Sequence, residues 1–336
     1  MLDALRAQYP GWPQPFTPPP PVYKIVPIEG TGLGMVATED IAGGATIARE
    51  RPIFLMPRVI PASPAERRRI DDSVVRMLHS ENRRAFYALK NAQGNAAPSE
   101  VRGIMGTNSF EAGPFPTYPA RYAGMARDMS RANHSCSPNA THSFDPATLT
   151  HVLRAFHSIR AGEEVTISYL SDTLVSYEAR QEELSCGYHF KCGCKVCRLS
   201  GEARMVSAIS RRVIRERTYP GPMREDEAAF EVWLSNAVRR NASARDPSKG
   251  MSLQLPEMDA LVWASMEQEG CYEPGLWELV LERLVKASAV LENEDAVRHY
   301  AKKAAELRTA QSGSDGGWYA VAENPRQTEW WAKRSM

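Results

Sequence analysis

Asn133-His134-Ser135-Cys136-Ser137-Pro138-Asn139 packs two carboxamides, an imidazole and a thiol into seven residues. A polar turn whose Asn and Ser side chains bond their own backbone accounts for part of it, and a lone cysteine is ordinarily a small buried hydrophobe. The thiol gains meaning from Cys192-Gly193-Cys194-Lys195-Val196-Cys197 downstream. Three thiolates that close in sequence cannot all form disulfides with one another. They can all face one soft ion, and tetrahedral sulfur coordination suits Zn²⁺. A structural zinc takes four ligands, so a fourth donor must come from elsewhere. Cys136 is one candidate; Cys186, next to the cluster, is the other and would complete a purely local knuckle. Cys271 reads as a buried thiol in the helical half.

Two more stretches frame the first. Gly30-Thr31-Gly32-Leu33-Gly34 lies between β-branched runs, where glycines admit positive φ or close backbone approach. A strand-to-strand turn is the simplest reading, and no long helix follows to make it a dinucleotide fingerprint. Gly162-Glu163-Glu164-Val165-Thr166-Ile167-Ser168-Tyr169 reads as a turn into a strand that ends on tyrosine.

Composition bounds the rest. The chain has 336 residues, which predicts two compact units. Forty-one basic and 40 acidic residues leave a net charge of +1, against a large basic nucleic-acid face. There is no apolar run near membrane-spanning length and no secretory leader in the opening residues. Six cysteines, four of them between Cys186 and Cys197, suit a reducing compartment with a metal site rather than a disulfide framework. The expectation is an intracellular, monomeric protein with no membrane or direct nucleic-acid contact, in nucleus or cytoplasm.

Along the chain, residues 10–21 hold seven prolines and read as an extended polyproline-type lead-in. Short strands are predicted at Val22–Ile28, Gly34–Thr38 and Ala45–Ala48. Ser63-Pro64-Ala65-Glu66 is a capped helix start, and the helix is predicted to run to about residue 93. Residues 94–120 read as irregular. Strands resume at 140–144, 149–156 and 164–169. From 203 onward apolar residues recur at helical spacing (Leu276, Val280, Leu284, Ala287, Leu291; then Tyr300, Ala304, Leu307). Helices are also predicted at 231–238 and 258–266, a helical hairpin near Asn293, and a flexible link at 311–317. The fold class is α+β, a β-rich half followed by an all-α half.

Together these motifs occur in the order and spacing of the SET-domain protein lysine methyltransferases, which residues 22–198 resemble. Thr107-Asn108-Ser109-Phe110, the stretch 169–174 and Tyr188-His189-Phe190-Lys191-Cys192 resemble the SET- and MYND-domain branch, as does the helical C-terminal half. One departure is clear. No cysteine precedes Cys136, so the MYND zinc finger is absent, and only the helical insert fills that place.

The resemblance implies a SET domain over 22–185, a zinc-binding post-SET segment over 186–200 and a helical domain from 201, behind a Pro-rich segment at 1–21. It implies S-adenosylmethionine held by the backbone around Thr31, Gly32 and Leu33 and by Asn133 and His134, with Phe190 stacked on adenine and Tyr169 beside the methyl group. Zinc would be bound by Cys136, Cys192, Cys194 and Cys197. Tyr169 would be the catalytic residue, and Phe110 and Tyr188 would wall a lysine channel; core packing is the competing reading of Phe110. The implied activity is methyl transfer to a lysine of a histone or another protein. The competing class is a SET-fold scaffold that binds partners without turnover.

Overall fold

The computed structural model describes residues 2–113, 115, 121–218, 223–235 and 255–333. Contacts divide the chain into two compact units. One comprises Met1–Leu170 with Glu178–Cys192, the other residues 171–177 with 193 onward.

The first unit is built on three small sheets. Strands β1 (Tyr23–Ile28) and β2 (Gly32–Ala37) form a hairpin; β2 pairs with β10 (Glu164–Ile167), which pairs with the two-residue β7 (Asn133–His134), giving the order β1-β2-β10-β7. The β7–β10 pairing is parallel, Thr166 opposite Asn133 and Ile167 opposite His134. A second sheet has the order β3 (Thr46–Glu50), β9 (Thr150–Ala155), β8 (Ala140–Asp145). A third has β4 (Leu55–Pro57), β6 (Tyr122–Met125), β5 (Ser109–Ala112). Met35, Ile47, Leu153, Ile159 and Val165 are fully buried in the shared core, the apolar alternation of the strands made physical.

The start of the insert is as predicted. Ser63 accepts from the Glu66 N–H while Glu66 reaches back to the Ser63 N–H, a reciprocal capping box. The single helix expected to residue 93 is instead two, α2 (Pro64–Met77) and α3 (Ser80–Tyr87), because Leu78 turns extended at φ −65°, ψ 143°. The stretch 94–120, expected to be irregular, holds α4 (Glu100–Asn108) and β5. Ser99 caps α4 by accepting from Arg102 N–H. Gly103 is there because its helix face meets Asn91: a Cβ would lie 2.2 Å from Asn91 Oδ1. Helices α1 (Leu2–Gln8) and α5 (Tyr177–Tyr188) were also unread; α5 mixes Ser, Cys and Gly with charged residues and shows no apolar stripe.

The second unit is helical: α6 (Gly201–Thr218), α7 (Met223–Ser235), α8 (Leu255–Glu269), α9 (Leu276–Val290), α10 (Glu294–Ser312), α11 (Trp318–Glu323) and α12 (Glu329–Ala332). Helices α9 and α10 pack on each other through Val285, Ala289, Val297 and Ala301, all fully buried. Asn293 caps α10 by accepting from Ala296 N–H. The link expected at 311–317 is present over residues 313–317, between α10 and α11, after a start that is still helix. Helix α10 continues to Ser312 and stops at Gly313, left-handed at φ 82°. Part of the helix expected at 231–238 falls outside the described residues. Arg211 and Glu269 form a buried ion pair at 2.7 Å, with Ser207 Oγ donating to the same carboxylate oxygen. Among the described residues no helix is long and apolar enough to cross a membrane.

Candidate functional site

The site grows from the β1–β2 turn. Gly30 and Gly32 take φ 78° and 96°, which lets the chain reverse within four residues and leaves Thr31, Gly32 and Leu33 exposed. Gly34 has a different reason to be glycine. A Cβ there would sit 2.5 Å from Ile28 Cγ1, 2.7 Å from Glu164 Oε1 and 2.9 Å from Asn133 Nδ2. The missing side chain makes room for a polar junction. Asn133 Nδ2 donates to Glu164 Oε1 at 2.7 Å and lies 3.2 Å from Thr31 Oγ1 and 3.4 Å from the Leu33 carbonyl. The Asn-His segment is thereby tied to the glycine turn and to β10 at once.

A second amide completes the register. Asn139 Nδ2 donates to the Glu164 carbonyl and its Oδ1 accepts from Thr166 N–H, both at 2.8 Å, so a side chain extends the ladder where β7 has ended. Ser135 N–H donates to the Ile167 carbonyl at 2.9 Å. The motif holds its shape because each amide finds partners on β10, which ends at Ile167, two residues short of the expected strand end at Tyr169.

His134 links the strand end to the thiol. Its Nδ1 accepts from the Tyr169 backbone N–H at 3.0 Å, which leaves the proton of the neutral ring on Nε2, 3.3 Å from Cys136 Sγ. The Tyr169 hydroxyl donates to the Ala132 carbonyl at 2.7 Å. Burial first, then Tyr188 and the Glu164 charge, push the Tyr169 phenol well above its ordinary range. Tyr188 is raised too, by burial and then by Glu183. Both are therefore neutral phenols at physiological pH. Their rings lie 4.8 Å apart between centroids.

Tyr188 ends α5, and His189 follows at φ 57°. That left-handed residue reverses the chain at the helix terminus and brings Phe190 back to within 6.2 Å of the His134 ring. Tyr169 lies 5.5 Å from the same imidazole. His134, Tyr169, Tyr188 and Phe190, spread over 57 positions of sequence, thus form one aromatic group.

Phe110 belongs to the same core cluster as Tyr169 and is braced from behind. Its ring lies 4.8 Å from His142 and 5.6 Å from His151, and those two imidazoles share a 2.9 Å hydrogen bond. Desolvation lowers His142 to about 4, and desolvation with help from His142 holds His151 well below the ordinary imidazole range. Sequence reasoning passed over this pair and over Glu164. The signal existed for both: His142 and Phe144 alternate onto one face of β8, and Glu164 opens the strand that leads to Tyr169.

The sulfur atoms of Cys136, Cys192, Cys194 and Cys197 all lie within 4.8 Å of one another. Cys136 and Cys192 are 3.9 Å apart. Four thiolates at about 2.3 Å from a tetrahedral zinc would stand about 3.8 Å from each other, so the quartet has the dimensions that ion needs. Cys186 is exposed on α5 and outside this quartet. Gln181 holds the backbone of Cys192 in place from α5, donating to its carbonyl and accepting from its N–H.

Residues 32–170 match the family model described as the SET domain. The match takes in Gly32, Leu33, Phe110, Asn133, His134, Cys136 and Tyr169; Tyr188, Phe190 and the three downstream cysteines follow it in sequence. Histone-lysine N-methyltransferase set5 of Schizosaccharomyces pombe is 32% identical over 189 residues, covering 56% of this chain and 54% of that protein. Histone-lysine N-methyltransferase SMYD3 of Mus musculus is 45% identical over 74 residues, 22% of this chain and 17% of that one. The chain therefore spans about half the length of the first relative and far less of the second. A solved structure of Rubisco LSMT bound to AdoMet aligns over 99% of this chain and 94% of its own, at 13% identity and a TM-score of 0.34.

Proposed function

Taking the SET domain of residues 32–170 as the premise, we propose that this chain is an S-adenosylmethionine-dependent protein-lysine N-methyltransferase. The observation that carries the reading is the convergence of Asn133, His134 and Phe190 with two neutral phenols, Tyr169 and Tyr188, beside an exposed glycine turn. The relatives are named as histone-lysine methyltransferases, and the substrate class proposed is a lysine on a protein, histone or other.

The residues divide the work by their chemistry. The exposed backbone of Thr31, Gly32 and Leu33 would hold the methionine end of the cofactor, and Asn133 and His134 its amino acid and adenine portions. Phe190 would cover the adenine face. S-adenosylmethionine, when bound, supplies an electrophilic methyl on a sulfonium. A free lysine has a pKa near 10.4, so a water-poor channel helps by favouring the neutral amine. Tyr188 and Phe110 would supply that channel's apolar walls. Tyr169, held protonated by burial, is not a base; it would orient the reacting groups with a neutral hydroxyl fixed on the Ala132 carbonyl. The cysteine quartet would hold structural zinc and order the loop that carries Phe190.

Calorimetric titration with S-adenosylmethionine, paired with label transfer to core histones and to a cell lysate, tests the reading. The expected result is saturable one-site binding and lysine-specific transfer. Absence of transfer, with or without cofactor binding, would overturn the enzyme and leave the non-catalytic scaffold in its place.

A further inference from the structure

The proline-rich lead-in plays no part in the site above, yet its exposure follows a regular repeat. Residues 13–22 contain no helix or strand. From Pro15 to Val22 the accessibility repeats every third residue. Phe16, Pro19 and Val22 are half-buried, whereas Pro15, Pro18 and Pro21 on one edge and Thr17 and Pro20 on another are exposed. Three residues per turn is the repeat of a polyproline II helix. One edge of that helix lies on the protein and two face solvent.

The inward edge is anchored. Phe16 lies under two guanidinium groups, Arg49 and Arg51, each 5.5 Å from its ring centroid. Val22 packs against the main core. Both ends are tied as well. Trp12 Nε1 donates to the Pro146 carbonyl at 2.8 Å and Gln14 N–H to Ala147 at 2.9 Å; at the other end Thr38 N–H donates to Val22 at 2.9 Å, where β1 begins. Ordering entropy for this segment has thus been lost in folding rather than at a binding event.

From this pattern we infer that residues 15–22 are a pre-ordered proline ligand for a partner bearing an aromatic-ridged, acid-rimmed groove of the SH3 type. Such grooves read two X-Pro pairs along one side of a polyproline helix. Here the outward pairs are Thr17-Pro18 and Pro20-Pro21, and Pro19 between them is the residue turned toward its own protein. Basic side chains flank the ligand. Lys24 is exposed three residues beyond Pro21, and exposed Arg51 donates to the Gln14 carbonyl at 3.3 Å. Those charges select a groove with carboxylates at its rim.

The experiment titrates the full chain against a panel of isolated SH3 domains with acidic specificity pockets. At least one domain should bind saturably, and the Pro18→Ala/Pro21→Ala double variant should lose about tenfold or more of that affinity, or roughly 1.4 kcal/mol. Pro10→Ala, exposed and outside residues 15–22, should bind as the native chain does, and both variants should keep a cooperative unfolding transition. A synthetic peptide of residues 12–24 should compete with the full chain for the same domain, a readout that needs no substitution. The inference is overturned if no domain binds the full chain, if the double variant binds undiminished, or if the peptide binds without competing. None of these outcomes depends on methyl transfer.

Discussion

At the residue scale the decisive side chains act through what they hold in place. Tyr169 is the clearest case. Its backbone N–H fixes the His134 tautomer, its hydroxyl is spent on the Ala132 carbonyl, and burial keeps it protonated. Tyr169→Phe should lower the rate of methyl transfer by about 10²-fold, the order of loss when reacting groups are misplaced by about 1 Å. The dissociation constant for S-adenosylmethionine should move less than about threefold. Single-turnover kinetics beside calorimetry separates the two; an unchanged rate removes Tyr169 from the chemistry. Gly34 makes the complementary point with no side chain at all. Gly34→Ala forces a methyl into Ile28, Glu164 and Asn133, and overpacking of that kind costs about 1–3 kcal/mol. Chemical denaturation should read that loss directly, and S-adenosylmethionine affinity should fall with it, because the same three groups hold the turn.

At the element scale, local rules worked where a short signal was complete. The box Ser63-Pro64-Ala65-Glu66 predicted the start of α2 to the residue, and Ser63→Ala should destabilise the chain by about 1 kcal/mol in urea unfolding. The same reasoning overran the end of that helix, since nothing local marks Leu78 as extended. It missed α4 inside the stretch 94–120, whose glycines and prolines suggest irregular chain, whereas Gly103 is small to accommodate Asn91. The loop at 192–197 carries its own test. Cys136→Ser should reduce bound zinc well below one ion per chain by metal analysis, while Cys186→Ser should leave it unchanged. Full occupancy in Cys136→Ser would return the fourth position to Cys186.

At the scale of the whole molecule, stability against pH integrates groups that no single element owns. His142 and His151 lie on β8 and β9 behind Phe110, with Glu111 the nearest acidic influence on His142. Both are neutral when folded, His142 with a pKa of about 4, and both revert to about 6.5 when unfolded. Between those values the unfolded chain binds more protons than the folded one. Their contribution is therefore complete above pH 6.5 and is lost as pH falls toward 4, on the order of 1 kcal/mol per pH unit for one histidine. Unfolding free energies measured from pH 7.5 to 5 should fall along that slope, and His142→Gln should flatten it. A slope unaffected by that substitution would assign the acid sensitivity elsewhere.

What the sequence determined unaided was the identity of the parts: the SET-type motifs, the count of thiols, the capped helix start and the change from strands to helices after Cys197. Such signals are local in sequence, because capping, periodicity and ligand chemistry act over a few residues. Only the tertiary structure decided which parts meet. It placed His134 beside Phe190 through one left-handed residue, set two histidines behind Phe110, and turned every third residue of the proline segment toward the protein. Those outcomes depend on packing between residues tens of positions apart, and close-packed contact of that kind leaves no mark in any short window of the chain.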